Sequence, residues 1–427
     1  MESPIDSIHY VTKFFLIFIC LKALIEAWLE AKNRQHILKN RSQVPPKFHE
    51  RISLEDHQKA ADYSVAKIQS GKFFQFYDLI ILLILTLGGG LSALDHLAAN
   101  WSSGPMLQAL YFFALLGALT TLLGLPQSLY STFVIEERFG FNNTDGKTFI
   151  LDTLKGIVIG GIIGLPIILA LVWFVETFET YWWIIGWAFF TLVQFTLMWA
   201  YPRFIAPLFN KFNPLEEGEV KERILKLLQR TGFESRGLFV MDASKRSAHG
   251  NAYFTGFGKT KRIVFFDNLI KTLQAPEVEA VLAHELGHFK RKHVLKLLIK
   301  TVFMSFVGFA LMGVLFQWEP FFQGHGVENM NTHTGLALFS MVAGVYTFFL
   351  TPLSAWMSRK YEFEADTFAA ENAEPQDLIS ALVKLYKDNA STLTPHPLYS
   401  KFYHSHPPAL VRIRFLEQLD GQKAVAK

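Results

Sequence analysis

Seven stretches of the chain are apolar for about the 20 residues that a helix needs to cross a bilayer. They fall near residues 9–29, 77–97, 105–129, 154–175, 181–201, 296–318 and 335–357. Leu97 to Ile135 carries no charged residue, and neither does Tyr181 to Pro202. The first stretch is the least pure, because Lys22 and Glu26 lie inside it, but at i, i+4 they can pair on one helical face. The buried helices of a large soluble protein rarely repeat seven times at membrane length. The pattern therefore predicts a mainly α-helical, polytopic membrane protein. It divides the chain into 1–201 with spans one to five, a polar region 202–295, spans six and seven in 296–357, and a polar C-terminal region 358–427.

The polar connections alternate in charge. Those near 95–104, 176–180 and 319–334 hold no lysine or arginine, whereas 30–76, 136–155, 202–295 and the tail from Arg359 hold nearly all of them. Lysine and arginine stay on the cytoplasmic side of membranes, so the asymmetry predicts an outside N-terminus and a cytosolic C-terminus. Composition agrees. Of 427 residues, 51% are hydrophobic and 18% charged, below the roughly one-quarter charged of soluble domains, and mean hydropathy is +0.23. The net charge of +4 is too small to imply a nucleic-acid partner; the lipid bilayer is the partner that composition names. The single cysteine, Cys20, excludes a disulfide framework and a cysteine-based metal site. The start MESPIDSIHY is followed by no small-residue cleavage motif, so no cleavable signal peptide is expected.

Chemistry concentrates in AVLAHELGHFKRKH, Ala280 to His293, within the polar region that the charge rule places in the cytosol. Pro276, Glu277 and Glu279 read as a helix start, with acids at the positive end of the dipole. On that helix His284 and His288 are one turn apart on one face and suit a single Zn²⁺, leaving room for a third protein ligand and a water. Glu285 beside them can take a proton from an attacking water. The motif lacks the H-x-x-G-x-x-H extension. His293 lies five residues past His288, about 140° around a continuous helix, and is a poor third ligand. In SRKYEFEADTFAA, Glu362 and Asp366 share a helical face: one carboxylate can bind the metal while the other orients a ligand histidine. Without a metal, EFEAD reads as a solvated acidic face. Position favours the metal, since His288 comes about nine residues before span six and Glu362 about five after span seven, each within roughly 10–15 Å of the membrane.

On HELGHFK, SRKYEFEADTFA and a tail containing SHPP, in that order around seven spans, the chain resembles the Ste24 family, type I CAAX prenyl proteases of peptidase family M48. The resemblance implies one Zn²⁺ per chain held by His284, His288 and Glu362, with Asp366 supporting a ligand from behind, and a cytosolic zincin-like region of small sheet plus HExxH helix. It implies a helical bundle around a large water-filled chamber. It also implies that His406 of YHSHPPALVRI steadies the oxyanion, that Arg412 forms a structural ion pair, and that Asn251, Ala252 and Tyr253 pair with an extended substrate. The stretch SAHGNAYFTGFGKTKRIVFFDNL otherwise reads as an ordinary hairpin with a Gly-rich turn. EERFGFNNTDGKT, Glu136 to Thr148, looks like family sequence and has no chemistry beyond that of a loop.

The expected function is cleavage of peptide or protein substrates at the cytosolic membrane face. The substrates are prenylated CAAX proteins or, in a cell without them, other membrane proteins. The rival reading is a transporter or receptor with a structural metal site, for which Glu285 would have no use. Compactness and the lack of a dilysine signal in KAVAK favour a bacterial inner membrane over the endoplasmic reticulum.

Overall fold

The computed structural model describes residues 4–255 and 261–426. Among them, seven helices are long and apolar enough to cross a membrane, and their most apolar windows are only 6–33% buried, as lipid-facing helices require. The first two, Pro4–Asn40 and Leu54–Leu85, run far beyond the apolar stretches that mark them. Most of the connection at 30–76 is thus helix and not loop. Hydropathy sees only the part of a helix that lies in lipid, whereas a polar continuation costs nothing in water. Lys22 and Glu26 do pair, at 2.8 Å.

The second span departs most from the hydropathy reading at 77–97. Its helix stops at Leu85, and a second, short helix follows at Gly90–Trp101. Gly88 to Gly90 cause the break: Gly89 takes a left-handed φ of 74°, and a Cβ at Gly88 or Gly90 would lie 2.7–2.9 Å from Ile84 and Leu85 backbone. The seventh span is also interrupted, with Thr332–Thr347 and Thr351–Asn372 joined by a 3₁₀ turn ahead of Pro352. The remaining spans, Pro105–Tyr130, Gly146–Phe178, Trp182–Ala200 and His293–Leu315, match their apolar stretches within a turn or two.

The three connections without lysine or arginine meet at one end of the bundle. Buried Asp95 accepts from Gln108, Asn329 and Asn331 and pairs with His333 at 2.7 Å. Trp182, which follows the second such connection, stacks on Phe316 just before the third.

At the other end lies the polar region, built on four strands: β1 (Phe212–Pro214), β2 (Leu238–Met241), β3 (Ala252–Thr255) and β4 (Arg262–Phe266), in the order β1-β2-β4-β3. β3 pairs antiparallel with β4, as the hairpin reading expected, and its other edge is free among the described residues; the Gly-rich turn at 256–260 lies outside them. β2 joins β4 in parallel and β1 extends the sheet, two strands too short to announce themselves by alternation.

Beneath the sheet runs the HELGH helix, Ala275–Lys290. Glu277 accepts the Gln274 backbone N–H at 2.7 Å and closes the first turn. Leu282, Ala283 and Leu286 of this helix are at most 1% exposed in a core shared with Ile263 and Phe265 of β4 and Leu416 of the C-terminal helix. Against it packs the EFEAD helix, Thr351–Asn372. They touch at Gly287, where a Cβ would stand 2.9 Å from Ala365 Cα and 3.0 Å from its carbonyl oxygen. The glycine of HELGH sets how close the two motif helices come.

Candidate metal centre

That close approach brings three donors together. His284 Nε2 and His288 Nε2 are 3.2 Å apart. His284 Nε2 lies 3.4 Å from Glu362 Oε2, and His288 Nε2 lies 3.3 Å from Glu362 Oε1. A tetrahedral ion with ligand bonds of about 2.0–2.1 Å has its ligand atoms about 3.3 Å apart. The two histidine nitrogens meet different oxygens of the Glu362 carboxylate, and one ligand atom from each of the three residues lies within 4.8 Å of the others, a spacing that a single ion can draw together. Glu362 Oε2 is buried, has no hydrogen-bond partner and lies 3.5 Å from Arg412 Nη1, so it retains the capacity to bind a metal ion. The donor set therefore fits a tetrahedral metal ion, with its fourth position open.

Hydrogen bonds behind the two histidines decide which nitrogens face the centre. Fully buried Asp366 accepts from His284 Nδ1 at 2.8 Å, so the lone pair of Nε2 points inward. Arg412 grips the same carboxylate with two bonds, at 2.9 and 2.5 Å, a bidentate geometry that fixes its plane. His288 is held by a longer chain. Glu364 accepts from His293 Nε2 at 2.9 Å, which leaves His293 Nδ1 to accept from His288 Nδ1 at 3.0 Å. His288 thus also presents Nε2 to the centre.

On a continuous helix His293 would lie about 140° away from His288. The helix is not continuous. It ends at Lys290, Lys292 turns left-handed with φ 58°, and the next helix starts at His293, which is carried back onto His288. Glu364 was read as one more acid of a solvated face. Its position two residues past Glu362 is the signal that could have singled it out.

Burial and the nearby Arg412 charge push the His284 imidazole down, but Asp366 and Glu362 outweigh them and raise it to about 9. A metal ion bound there competes with that protonation. Burial alone would lower Arg412, yet Asp366 and Glu362 keep its pKa raised above the usual guanidinium value.

The remaining expected residues sit around this centre. Glu285, half-buried, makes no hydrogen bond or ion pair among the described residues and is free to accept a proton. The His406 side chain is 63% exposed, with Nε2 3.4 Å from Glu362 Oε1. A cavity of about 960 Å³ opens beside it, lined by His406, Asn251, Tyr63, His249, Asn389 and Glu30 among others. A second cavity of about 490 Å³ also touches Glu30 and reaches Lys22, Lys72 and Asp78 between the spans. Asn251 is exposed at the head of the free β3 edge, whereas Ala252 is half-buried and packs on the core beneath the sheet. The Tyr253 ring lies on the opposite face, against Met241 and Val264.

Comparison with known proteins agrees with this layout. Residues 33–211 match the family model for the CAAX prenyl protease N-terminal region with five membrane helices, and residues 214–420 match peptidase family M48. The chain is 34% identical to CAAX prenyl protease 1 of Saccharomyces cerevisiae, covering 91% of this chain and 92% of that protein. It is also 34% identical to the human CAAX prenyl protease 1 homolog, covering 95% and 94%. The crystal structure of S. mikatae Ste24p superposes with a TM-score of 0.88 at 33% identity, covering 95% of this chain and 98% of that one.

The supports behind the histidines predict graded effects on metal affinity. Titrating Zn²⁺ into metal-free protein should show Asp366→Ala and His293→Ala weakened by about 10- to 100-fold, and Glu362→Ala by more. Gly287→Ala, which pushes the two helices apart, should weaken it in the same direction. Wild-type affinity in His293→Ala would remove that residue from the centre.

Proposed function

The chain belongs to peptidase family M48, among the Ste24-type CAAX prenyl proteases, and from that membership we propose that its substrates are prenylated CAAX proteins, from which it removes the C-terminal tripeptide. In a cell without prenylated proteins the same site would process or clear other membrane proteins. The family makes the protein a multi-pass membrane metalloendopeptidase and implies a metal cofactor; the transporter or receptor alternative is not favoured.

We propose zinc, one per chain, with His284, His288 and Glu362 as its ligands. The observation that carries this is the convergence of two histidine nitrogens, 3.2 Å apart, on the Glu362 carboxylate at 3.3–3.4 Å, beside an uncommitted Glu285 and a cavity under a free strand edge. Bound zinc supplies Lewis acidity for the scissile carbonyl and the attacking water. An extended peptide pairs with the backbone at Asn251 to Tyr253 along the β3 edge and is thereby aligned over the HELGH helix. Glu285 takes the proton from the attacking water and delivers it to the leaving amine. His406 donates to the oxygen that becomes negative as the carbonyl turns tetrahedral. Asp366 and Arg412 hold His284 in place throughout.

We also propose that this centre and the C-terminus face the cytosol, because the three connections free of lysine and arginine gather at the opposite end of the bundle. The matched relatives come from eukaryotes, and the expectation of a bacterial inner membrane rests only on compactness and the tail.

Two measurements test these proposals. Purified protein should cut a farnesylated CAAX peptide in preference to an unprenylated membrane peptide. Glu285→Gln should keep its zinc while losing at least about 10²–10⁴-fold in turnover. His406→Ala should lose about 10²–10³-fold. Wild-type turnover by Glu285→Gln would end the mechanism. For topology, single cysteines placed at 100 and 330, both exposed, in a Cys20-free protein should react with an impermeant reagent from outside the cell or organelle face, and reaction only from the cytosol would reverse the orientation.

A further inference from the structure

The EERFGFNNTDGKT segment, which reads from the sequence as a plain loop, touches the residues that lead into the strand on which the proposed function lays the substrate. Residues 141–144 run alongside 244–248. Ala248 N–H donates to Phe141 O at 3.1 Å, Asn143 N–H to Arg246 O at 3.1 Å, and Asn143 Nδ2 to Ser244 O at 2.8 Å, with a β-bridge between Asn142 and Ser247. Glu136 stands where this segment leaves the third span. One of its oxygens accepts from Tyr63 Oη of the second span at 2.6 Å, and the other from His249 Nε2 at 3.3 Å. The Phe141 ring stacks on the His249 imidazole, 4.5 Å between centroids.

From the other side Asn389 Oδ1 accepts from the Gly250 N–H at 3.1 Å and lies 3.2 Å from His249 Nδ1. Asn389 precedes Ala390, a buried residue with a left-handed φ of 42°, a backbone strain held by the surrounding packing. Tyr63, Ile135, Phe139, Phe141 and Ala390 form a small apolar core of their own, against which Ala248 packs. Everything from Arg246 to Gly250 is therefore fixed before Asn251 begins the free edge. Tyr63, His249, Asn389 and Asn251 line the same cavity of about 960 Å³.

We propose that Glu136 is a positioning residue for substrate: through His249 it ties the membrane spans to the head of β3 and sets the register and distance of the edge on which the peptide lies. This rests on the strand-pairing reading of the proposed function. Nothing in the network touches the three metal donors, so its loss acts on peptide binding and leaves the metal alone.

The test separates this inference from the function it rests on. In full-length protein carrying Glu285→Gln, a fluorescein-labelled farnesylated CAAX peptide binds without being cut, and its Kd is read by anisotropy with and without Glu136→Ala. The expected result is a Kd raised by about tenfold or more, the scale of a lost hydrogen bond to a charged group. In the Glu285-containing protein, KM should rise likewise, with kcat and bound zinc within about twofold of wild type. Tyr63→Phe, which removes one hydroxyl and keeps the apolar core, should raise Kd in the same direction and decides the matter if Glu136→Ala folds poorly. A Kd unchanged in both variants, or a loss of kcat and zinc together in Tyr63→Phe, overturns the proposal while peptide cleavage by the wild type upholds the protease reading. If the wild type cuts neither peptide, both fall.

Discussion

The constraint on which the metal centre depends is the contact between the HELGH and EFEAD helices at Gly287 and Ala365, where a single added methyl would collide with backbone. Two histidines on one helix present half a metal site; the third donor comes from a helix more than seventy residues later in the chain. Donor atoms must approach within about 3.3 Å of one another to share a tetrahedral ion. Side chains as short as glutamate and histidine reach that spacing only if their helices nearly touch. The glycine makes this possible, and the core under the sheet holds the helices there.

The centre is also electrostatically coherent. Glu362 and Asp366 bring two negative charges into a buried place, and such charges persist only when paired or bound to a cation. Arg412 supplies one positive charge for the two, gripping Asp366 bidentately and standing 3.5 Å from Glu362. Glu362 retains an oxygen without a hydrogen-bond partner and faces two imidazole nitrogens whose protons have been drawn off to the rear. A divalent cation resolves that arrangement. Each histidine is oriented by an acid of the same motif: His284 by Asp366 directly, His288 by Glu364 through His293.

Sequence made legible what rests on periodicity or on a compact motif. Spans with uniform apolar composition, such as Pro105–Tyr130, and the one-turn spacing of His284 and His288 belong to that class. Features that depend on where helices stop were hidden. The triple glycine at 88–90 ends the second span inside an unbroken apolar run, and the left-handed turn at Lys292 reverses the direction in which His293 points. Long-range polar contacts were hidden too. Glu136 meets His249 across 113 residues, a pairing with no local signature. Polar helix extensions escaped for a further reason: the 30–76 connection is rich in charge, and charge speaks only about solvent and not about helicity.

The central claim is that His284, His288 and Glu362 hold one catalytic metal ion. X-ray absorption at the zinc edge of the purified, detergent-solubilised protein tests it most directly. The account predicts one zinc per chain with nitrogen and oxygen neighbours at about 2.0–2.2 Å and no sulfur at about 2.3 Å, and loss of that signal in Glu362→Ala. A protein that carries no zinc while cutting peptides, or a zinc environment unchanged in Glu362→Ala, would contradict it.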